Sequence, residues 1–363
     1  MTAVLGRARY VLGIGIATAL LATGCSGGDQ EQSASSPASP MERPTPETTP
    51  TASPSPSPTP TPTPTPTGPV LPLTGEPASD GIPDRPAVTV KIDNTAGAEP
   101  QVGLEDADIV FEQLVEGGAT RLAAMYHSEL PEEIVPVRSL RTSDVGIASP
   151  TGGPIAASGG AGQVEDTIDD AGIRMWTADS DDNGFSRDGA RSAPYNVELD
   201  LPRIADNTDL PTPEPYLEWA GQDESANAQS AGSPSPDAQS ATTASVQFSP
   251  GHTTEWGYED EHWSRTNGRA ETEFEADTLI VMTVQQEDAG YTDPAGNPVP
   301  ESVLEGTGEA TFLLGDEVVE GEWHKDDLGA PLEFTDEAGE PLRIPPGHTW
   351  IELMPDDGSL DVG

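Results

Sequence analysis

The sequence holds one cysteine, two lysines and few aromatics: Phe, Tyr and Trp contribute six each, together 5% of 363 residues. A lone thiol excludes an intramolecular disulfide and any site built from several thiolates. Cations are scarce altogether, 16 Lys and Arg against 63 Asp and Glu, for a formal charge of −47. That field repels a phosphate backbone, which excludes nucleic acid as a partner. It equally excludes attraction of basic residues to an anionic lipid surface. The five histidines (127, 252, 262, 324 and 348) are spread out, with no His-Glu-x-x-His. No metal site and no cofactor are expected from them.

What is present begins with an address. Arg7 and Arg9 precede the apolar stretch Tyr10–Ala22, whose 13 residues fall short of the roughly 20 that span a bilayer as a helix. Leu21-Ala22-Thr23-Gly24-Cys25 follows, small residues running into the single thiol. This is the pattern of a bacterial lipobox. Residues 1–24 are read as a signal peptide, and Cys25 as the diacylated first residue of the mature chain. Cleavage there removes two cations and no acid, taking the charge from −47 to −49. The acyl chains supply membrane affinity at about 0.8 kcal/mol per buried methylene, without help from basic residues. The expected location is the extracellular face of the cytoplasmic membrane.

Pro and Gly, 38 each, make up about a fifth of the chain, so part of the length is not globular. Residues 25–69 are a Pro/Thr/Ser-rich stalk expected to stay disordered. From Ser53 to Pro66 proline alternates with Ser or Thr, which favours extended polyproline II at about 3.1 Å per residue. The same Ser/Thr run could carry O-linked sugar.

Residues 70–205 mix strand and helix signals. Ala87–Ile92 reads as a strand. Ala107–Val115 and Thr120–His127 read as a hairpin across Glu116-Gly117-Gly118-Ala119. Ile155–Ser158 leads through Gly159-Gly160-Ala161-Gly162 into a helix over Gln163–Ala171, stopped by Gly172. An α+β or α/β domain is expected there. Residues 206–245 return to low complexity and read as a disordered insertion. Residues 246–363 show short strands and frequent turns without a helix, which predicts a small all-β domain. Its Trp323 and Trp350 fit core positions better than sugar-stacking ones.

The strongest chemical signal is arginine. Arg121, Arg138 and Arg141 lie in or beside the polar motifs of the first domain, and Arg187 and Arg191 near Asn196. Arg138 and Arg141 would share a face if a helix started there. Guanidinium forks grip carboxylate or phosphate in pairs of hydrogen bonds. The candidate ligand residues are Lys91, Asp93, Asn94, Glu112, Glu116, Arg121, Arg138, Arg141, Asp144, Ser158, Gly159, Gly160, Arg187, Arg191 and Asn196. Two readings stand side by side: an anion-binding cleft, or an ionic network in which these cations pair with Asp93, Glu112, Glu116 and Asp144 to fix the fold. Ser158–Gly162 places backbone N–H groups at a helix start, an anion-binding feature that a tight turn shares. Asp179–Gly184 copies the first half of a calcium loop but has Ala190 where a bidentate Glu belongs.

Several segments together resemble one family. They are Pro72-Leu73-Thr74-Gly75, Val90-Lys91-Ile92-Asp93-Asn94, Ala107–Glu112, Val115–Arg121, Pro136–Arg141, Ser158-Gly159-Gly160, Ala193–Asn196 and Pro346–Ile351. The chain resembles the YerB-like lipoproteins of Gram-positive bacteria, whose two globular parts are domains of unknown function. Tyr195 stands where that family often has His, and Leu140 where a smaller residue is usual. The resemblance implies an exported, lipid-anchored envelope protein and no established activity. The leading expectation is a non-catalytic surface protein that binds an anionic cell-envelope ligand or a partner protein. The alternative is a hydrolase or transferase acting on cell-wall or polyprenyl-phosphate material, with the arginines holding the anion and Glu112 or Glu116 as base.

Overall fold

The computed structural model describes residues 68–179, 184–205, 208–221 and 239–363. Cys25, the signal peptide and most of the stalk lie outside these residues, as do positions 180–183 of the calcium-like loop and 222–238 of the insertion. Strand β1 (Val88–Asp93) is a β-branched run buried along its whole length. β2 (Ile109–Leu114) and β3 (Thr120–Tyr126) form the expected hairpin. Gly117 and Gly118, at φ +72° and +74°, make its turn, a conformation that costs side-chain-bearing residues dearly.

Helix α1 (Asp144–Ala148), strand β4 (Ile155–Ala157) and helix α2 (Gly162–Asp170) follow. Val164 and Ile168, one turn apart on α2, bury against Leu140 and Ile155. Gly172 ends α2 in the left-handed region; its N–H reaches the Asp169 carbonyl and that of Ile173 the Ile168 carbonyl. This double closure satisfies carbonyls that a helix end leaves open. β5 (Met175–Thr177), β6 (Phe185–Arg187), β7 (Val197–Leu199) and α3 (Leu201–Ala205) complete the first part.

The second part is all strand. Its elements are β8 (Gln239–Ser240), β9 (Thr243–Ser249), β10 (His252–Glu259), β11 (His262–Arg265), β12 (Thr278–Val284) and β13 (Gln286–Thr292). After them come β14 (Pro298–Ser302), β15 (Gly306–Leu314), β16 (Glu317–Lys325), β17 (Glu333–Asp336), β18 (Thr349–Pro355) and β19 (Ser359–Val362).

The two parts of the sequence share one sheet. Its order is β17-β16-β15-β12-β18-β2-β3-β1-β4-β5, with β8 added on β16 to make 11 strands. The seam is the parallel pairing of β18 with β2, in which Ile351 faces Phe111 and Glu352 faces Glu112. A four-stranded sheet, β11-β10-β9-β19, covers one side. There Val246, Phe248, Trp256 and Trp263 bury against Val90, Ile92, Leu122 and Trp350. On the opposite side Phe111, Ile280 and Ile351 pack with Ile147 of α1 and with Tyr216 and Leu217. Trp323 and Trp350 are both core residues.

The expected insertion needs correction at both ends. Residues 208–221 are held because Tyr216 and Leu217 are buried and the Tyr216 hydroxyl donates to the Ile147 carbonyl at 2.9 Å. Residues 239–245 already belong to β8 and β9. Trp219 packs on the same core and donates to the Pro72 carbonyl, so a few apolar side chains in otherwise polar sequence anchor this segment.

Because β2 pairs with β18, the first part alone would expose a central strand edge as well as half a core. A fragment of residues 68–221 is expected to show no cooperative urea transition alone and to regain one when mixed with residues 239–363. A cooperative transition of the isolated fragment would contradict this.

Candidate functional site

The pleat sorts the polar residues of the central strands onto two faces. Lys91, Asp93, Gln113 and Arg121 share one face; Asn94, Glu112 and Thr120, each next to one of them in sequence, share the other, as their contacts record.

On the first face Lys91 is fully buried, its Nζ 2.6 Å from Oδ1 of Asp144 at the start of α1. The same oxygen accepts from Gln113 Nε2 at 2.6 Å, and Oδ2 accepts the Arg141 backbone N–H at 2.7 Å. Burial brings the Lys91 pKa down to about 8, opposed by the charge of Asp144. Arg141 forks onto Glu116, with Nε donating to Oε2 at 2.9 Å and Nη2 to Oε1. Burial pushes Glu116 up, but the Arg141 hydrogen bonds and the charges of Arg121 and Arg141 hold it below its ordinary value.

Arg121 lies 3.7 Å from the same Glu116 oxygen and donates from Nη1 to the Ser139 carbonyl at 3.0 Å. Its Nε is buried without a hydrogen-bond partner among the described residues. Burial and the neighbouring Arg141 and Arg138 charges lower its pKa to about 10, against the pull of Glu116. Arg138 donates from Nε to Asp93 Oδ2 at 2.5 Å, lies over the Tyr195 ring at 5.6 Å and is 20% exposed. Tyr195 thus presents a ring face to a guanidinium. Tyr291 of β13 brings a buried hydroxyl, without a partner among the described residues, into the field of Arg141, Glu116, Asp144 and Arg121.

Several expectations change. Arg138 and Arg141 do not start a helix. Residues 138–140 run extended, with the Arg138 N–H on the Lys91 carbonyl and the Leu140 N–H on the Gly159 carbonyl, and α1 begins only at Asp144. Glu112 and Asn94 do not face the arginine cluster, because the pleat turns them to the other side of the sheet. Glu112 therefore cannot serve as a base beside Arg121. Ser158 does lie near the cluster, its Oγ 3.4 Å from that of Ser139. The Gly159–Gly160 loop enters α2 as read, but its Gly160 N–H already serves the carboxylate of Glu165 at 2.9 Å. Arg187 and Arg191 stand apart. Arg187 donates to Asn196 at 3.0 Å, and Arg191 binds Asp188 and the carbonyls of Ala98 and Pro100.

The second face carries residues that sequence reasoning passed over. Glu112, fully buried, accepts from Asn94 Nδ2 at 2.9 Å and Thr254 Oγ1 at 3.0 Å, and its Oε1 is 2.8 Å from His252 Nε2. Burial alone would raise its pKa; the hydrogen bond and charge of His252, with the charge of Arg265, hold it lower. Glu352, beside it in register, accepts from Trp256 Nε1 at 2.8 Å. Burial and the Glu112 charge push Glu352 well above its ordinary value, so one carboxylate of the pair is ionised and the other holds its proton. Arg265 is fixed by Asn94 at 3.0 Å, Gln101 at 3.1 Å and Glu273 at 2.7 Å, and stacks on Trp350 at 4.8 Å. The alternation His252-x-Thr254-x-Trp256 was the one signal that could have put these side chains on an inward strand face.

Two family models match this chain. The N-terminal domain of DUF3048, a protein of unknown function, matches residues 73–211, and its C-terminal domain matches residues 244–351. The chain belongs to the DUF3048 family. A relative from Bacillus subtilis (strain 168), "Putative lipoprotein YerB", is 46% identical over 70 residues, 19% of this chain and 21% of the relative. The chain thus matches about a fifth of that relative's length in sequence. The crystal structure of YerB from Bacillus subtilis superposes with a TM-score of 0.66 at 21% identity, covering 80% of this chain and 99% of that one. At that identity the likeness speaks for the fold. Both polar networks of this DUF3048 member lie within the matched segments, apart from Glu352, one residue beyond them.

The carboxyl pair has a pH signature. An acid whose pKa is higher folded than unfolded keeps its proton longer in the folded state. Its contribution to stability is therefore full below the ordinary value of 4.5 and is lost as pH rises toward the raised one. Glu352→Gln keeps the neutral shape and cannot ionise. It should match the wild type near the acid end and gain on it as pH rises, by up to about 1.4 kcal/mol per unit. Urea unfolding of both proteins across a pH series measures this, and parallel profiles would refute it.

Proposed function

We propose that this DUF3048 protein is held at the extracellular face of the cytoplasmic membrane by a lipid on Cys25, and that its folded part binds an anionic ligand of the cell envelope. The relative from Bacillus subtilis bears the name of a lipoprotein, which supports the location. Among the described residues no helix is long and apolar enough to cross a membrane, and the lipid would supply the attachment.

One observation carries the ligand reading: the cluster on the first face is a cation in excess. Lys91, Arg121, Arg138 and Arg141 meet three carboxylates, Asp93, Glu116 and Asp144, in a chain where acids outnumber Lys and Arg by 63 to 16. Among the described residues the buried Nε of Arg121 and hydroxyl of Tyr291 lack acceptors, and buried donors without partners are costly. An incoming oxyanion would balance the charge and satisfy these donors, with Arg138 as its exposed contact. A negatively charged patch on a partner protein would offer the same chemistry. Glu116, tied to Arg141 and Arg121 and held below its ordinary pKa, is a poor proton acceptor, which favours binding over catalysis at this face.

Two outcomes are expected. Cys25→Ala should release the protein into the medium, measured by fractionating cells; retention on the membrane would defeat the lipid anchor. Phosphate, pyrophosphate or wall fragments should raise the thermal midpoint of the purified protein, and Arg138→Ala should abolish the rise. A rise that survives this substitution would remove the cluster as the site.

A further inference from the structure

On the opposite face, between the end of β1 and strands β10 and β11, lies a pocket of about 240 Å³. Asn94, His252, Thr254, Arg265, Asn267 and Arg269 supply its polar walls, and none of its lining residues is acidic. In a chain with 63 acids and 16 Lys and Arg, this small space is lined by two arginines and a histidine, while their carboxylate partners Glu273, Glu112 and Glu99 stand outside its lining. The three bases are held differently. The Arg265 guanidinium is immobilised by Asn94, Gln101 and Glu273 and backed by Trp350. His252 is anchored from beneath, its Nε2 within 2.8 Å of Glu112 Oε1 and 2.9 Å of Thr120 Oγ1, which leaves Nδ1 as the ring nitrogen for the pocket. Among the described residues the Arg269 side chain holds a long ion pair, 3.8 Å to Glu99, whose side chain is 65% exposed, so it is able to turn toward a ligand at little cost.

We propose that this pocket is a second site, for the oxyanion of a small ligand, a carboxylate or a phosphate, gripped by Arg269 and met by Arg265 and His252. It goes beyond the ligand site above, since it uses neither Arg121 nor Arg138 and lies across the sheet from them. A pocket of this volume has room for several water molecules at about 30 Å³ each, which suits an oxyanion with a few attached atoms. Buried Glu112 keeps His252 pointed at the pocket in the way a carboxylate behind an imidazole fixes its ring. Asn94, Gln101 and Glu273 take four of the five N–H groups of Arg265, so it offers the pocket one N–H and a positive charge held in place.

The experiment uses the mature protein and two probes, inorganic phosphate and acetate, titrated while the ring resonances of His252 are followed by NMR. A saturable shift with either probe is expected. A response to phosphate alone assigns a phosphate ligand, and one to acetate alone a carboxylate. Arg269→Glu alters a half-buried residue whose ion pair to Glu99 is long, and should leave the thermal midpoint in place. It should weaken the response by about tenfold or more, the loss expected for one charge-assisted contact. His252→Gln should weaken it as well, read on an arginine side-chain resonance, whereas Arg138→Ala should leave it intact. No shift with either probe, or a shift that Arg269→Glu leaves unchanged, would overturn the proposal.

Discussion

The parallel pairing of β18 with β2 is the constraint on which the rest of the molecule depends. It joins segments far apart in the chain; just beside it His348 Nδ1 and the Ala107 carbonyl, 241 residues apart, are 2.7 Å from each other. Parallel neighbours need a long crossover connection, and here most of the second part of the sequence provides it. Once β18 is in place, Trp350 has both Trp256 and Phe274 to pack on, with ring centres 5.1 and 5.6 Å away. The four-stranded sheet is thereby fixed over the larger one. The polar residues of the second face come from both parts of the chain and meet only through this pairing.

The same pairing sets two carboxyl groups side by side in the interior, a placement that is tolerable only if their protonation differs. His252, Asn94 and Thr254 stabilise negative charge on Glu112, while at Glu352 the Trp256 hydrogen bond does not offset burial and the Glu112 charge. The asymmetry of partners decides which group keeps the proton. On the opposite face the solution is different. Lys91 and Asp144 pair directly, and the remaining arginines share Glu116 and Asp93. Replacing one member of either set would leave a buried charge without its counterpart, an effect of about 3–5 kcal/mol where burial is complete.

Much of the local structure was legible. The β-branched run of β1, the Gly-Gly turn between β2 and β3, and the glycine stop after α2 are signals that act over a few residues, and they read correctly. The seam between β2 and β18 was not legible, because strand pairing over such a separation leaves no mark in either segment alone. The same reason hid His252, Arg265 and Glu352, whose neighbours in sequence form no motif. Grouping Asn94 and Glu112 with the arginines failed differently. Adjacent residues in a strand are near in sequence and opposite in space, so a list of polar residues taken from one motif mixes two faces. Tyr216, Leu217 and Trp219 show a related limit, since a few anchors hold a segment whose composition is that of a linker.

The alternation that divides the sites also protects them. Asp93 and Asn94, Glu112 and Gln113, and Thr120 and Arg121 are three neighbouring pairs, each with one member committed to each face. A slip of one residue in the pairing of β1, β2 or β3 would exchange the members. It would drive Arg121 toward the side where Leu122 and Trp350 pack and send Thr120 to face Glu116, breaking ionic contacts on one side and hydrogen bonds on the other. Apolar alternation alone penalises such a slip by exposing core residues; here buried charge is added to that cost on both faces. The charged residues are costly to bury, yet they discriminate against the wrong register more sharply than methyl groups could. An arrangement with both of its faces polar at the same end of the same strands can hold two binding sites without mixing them, because the backbone ladder between them belongs to both.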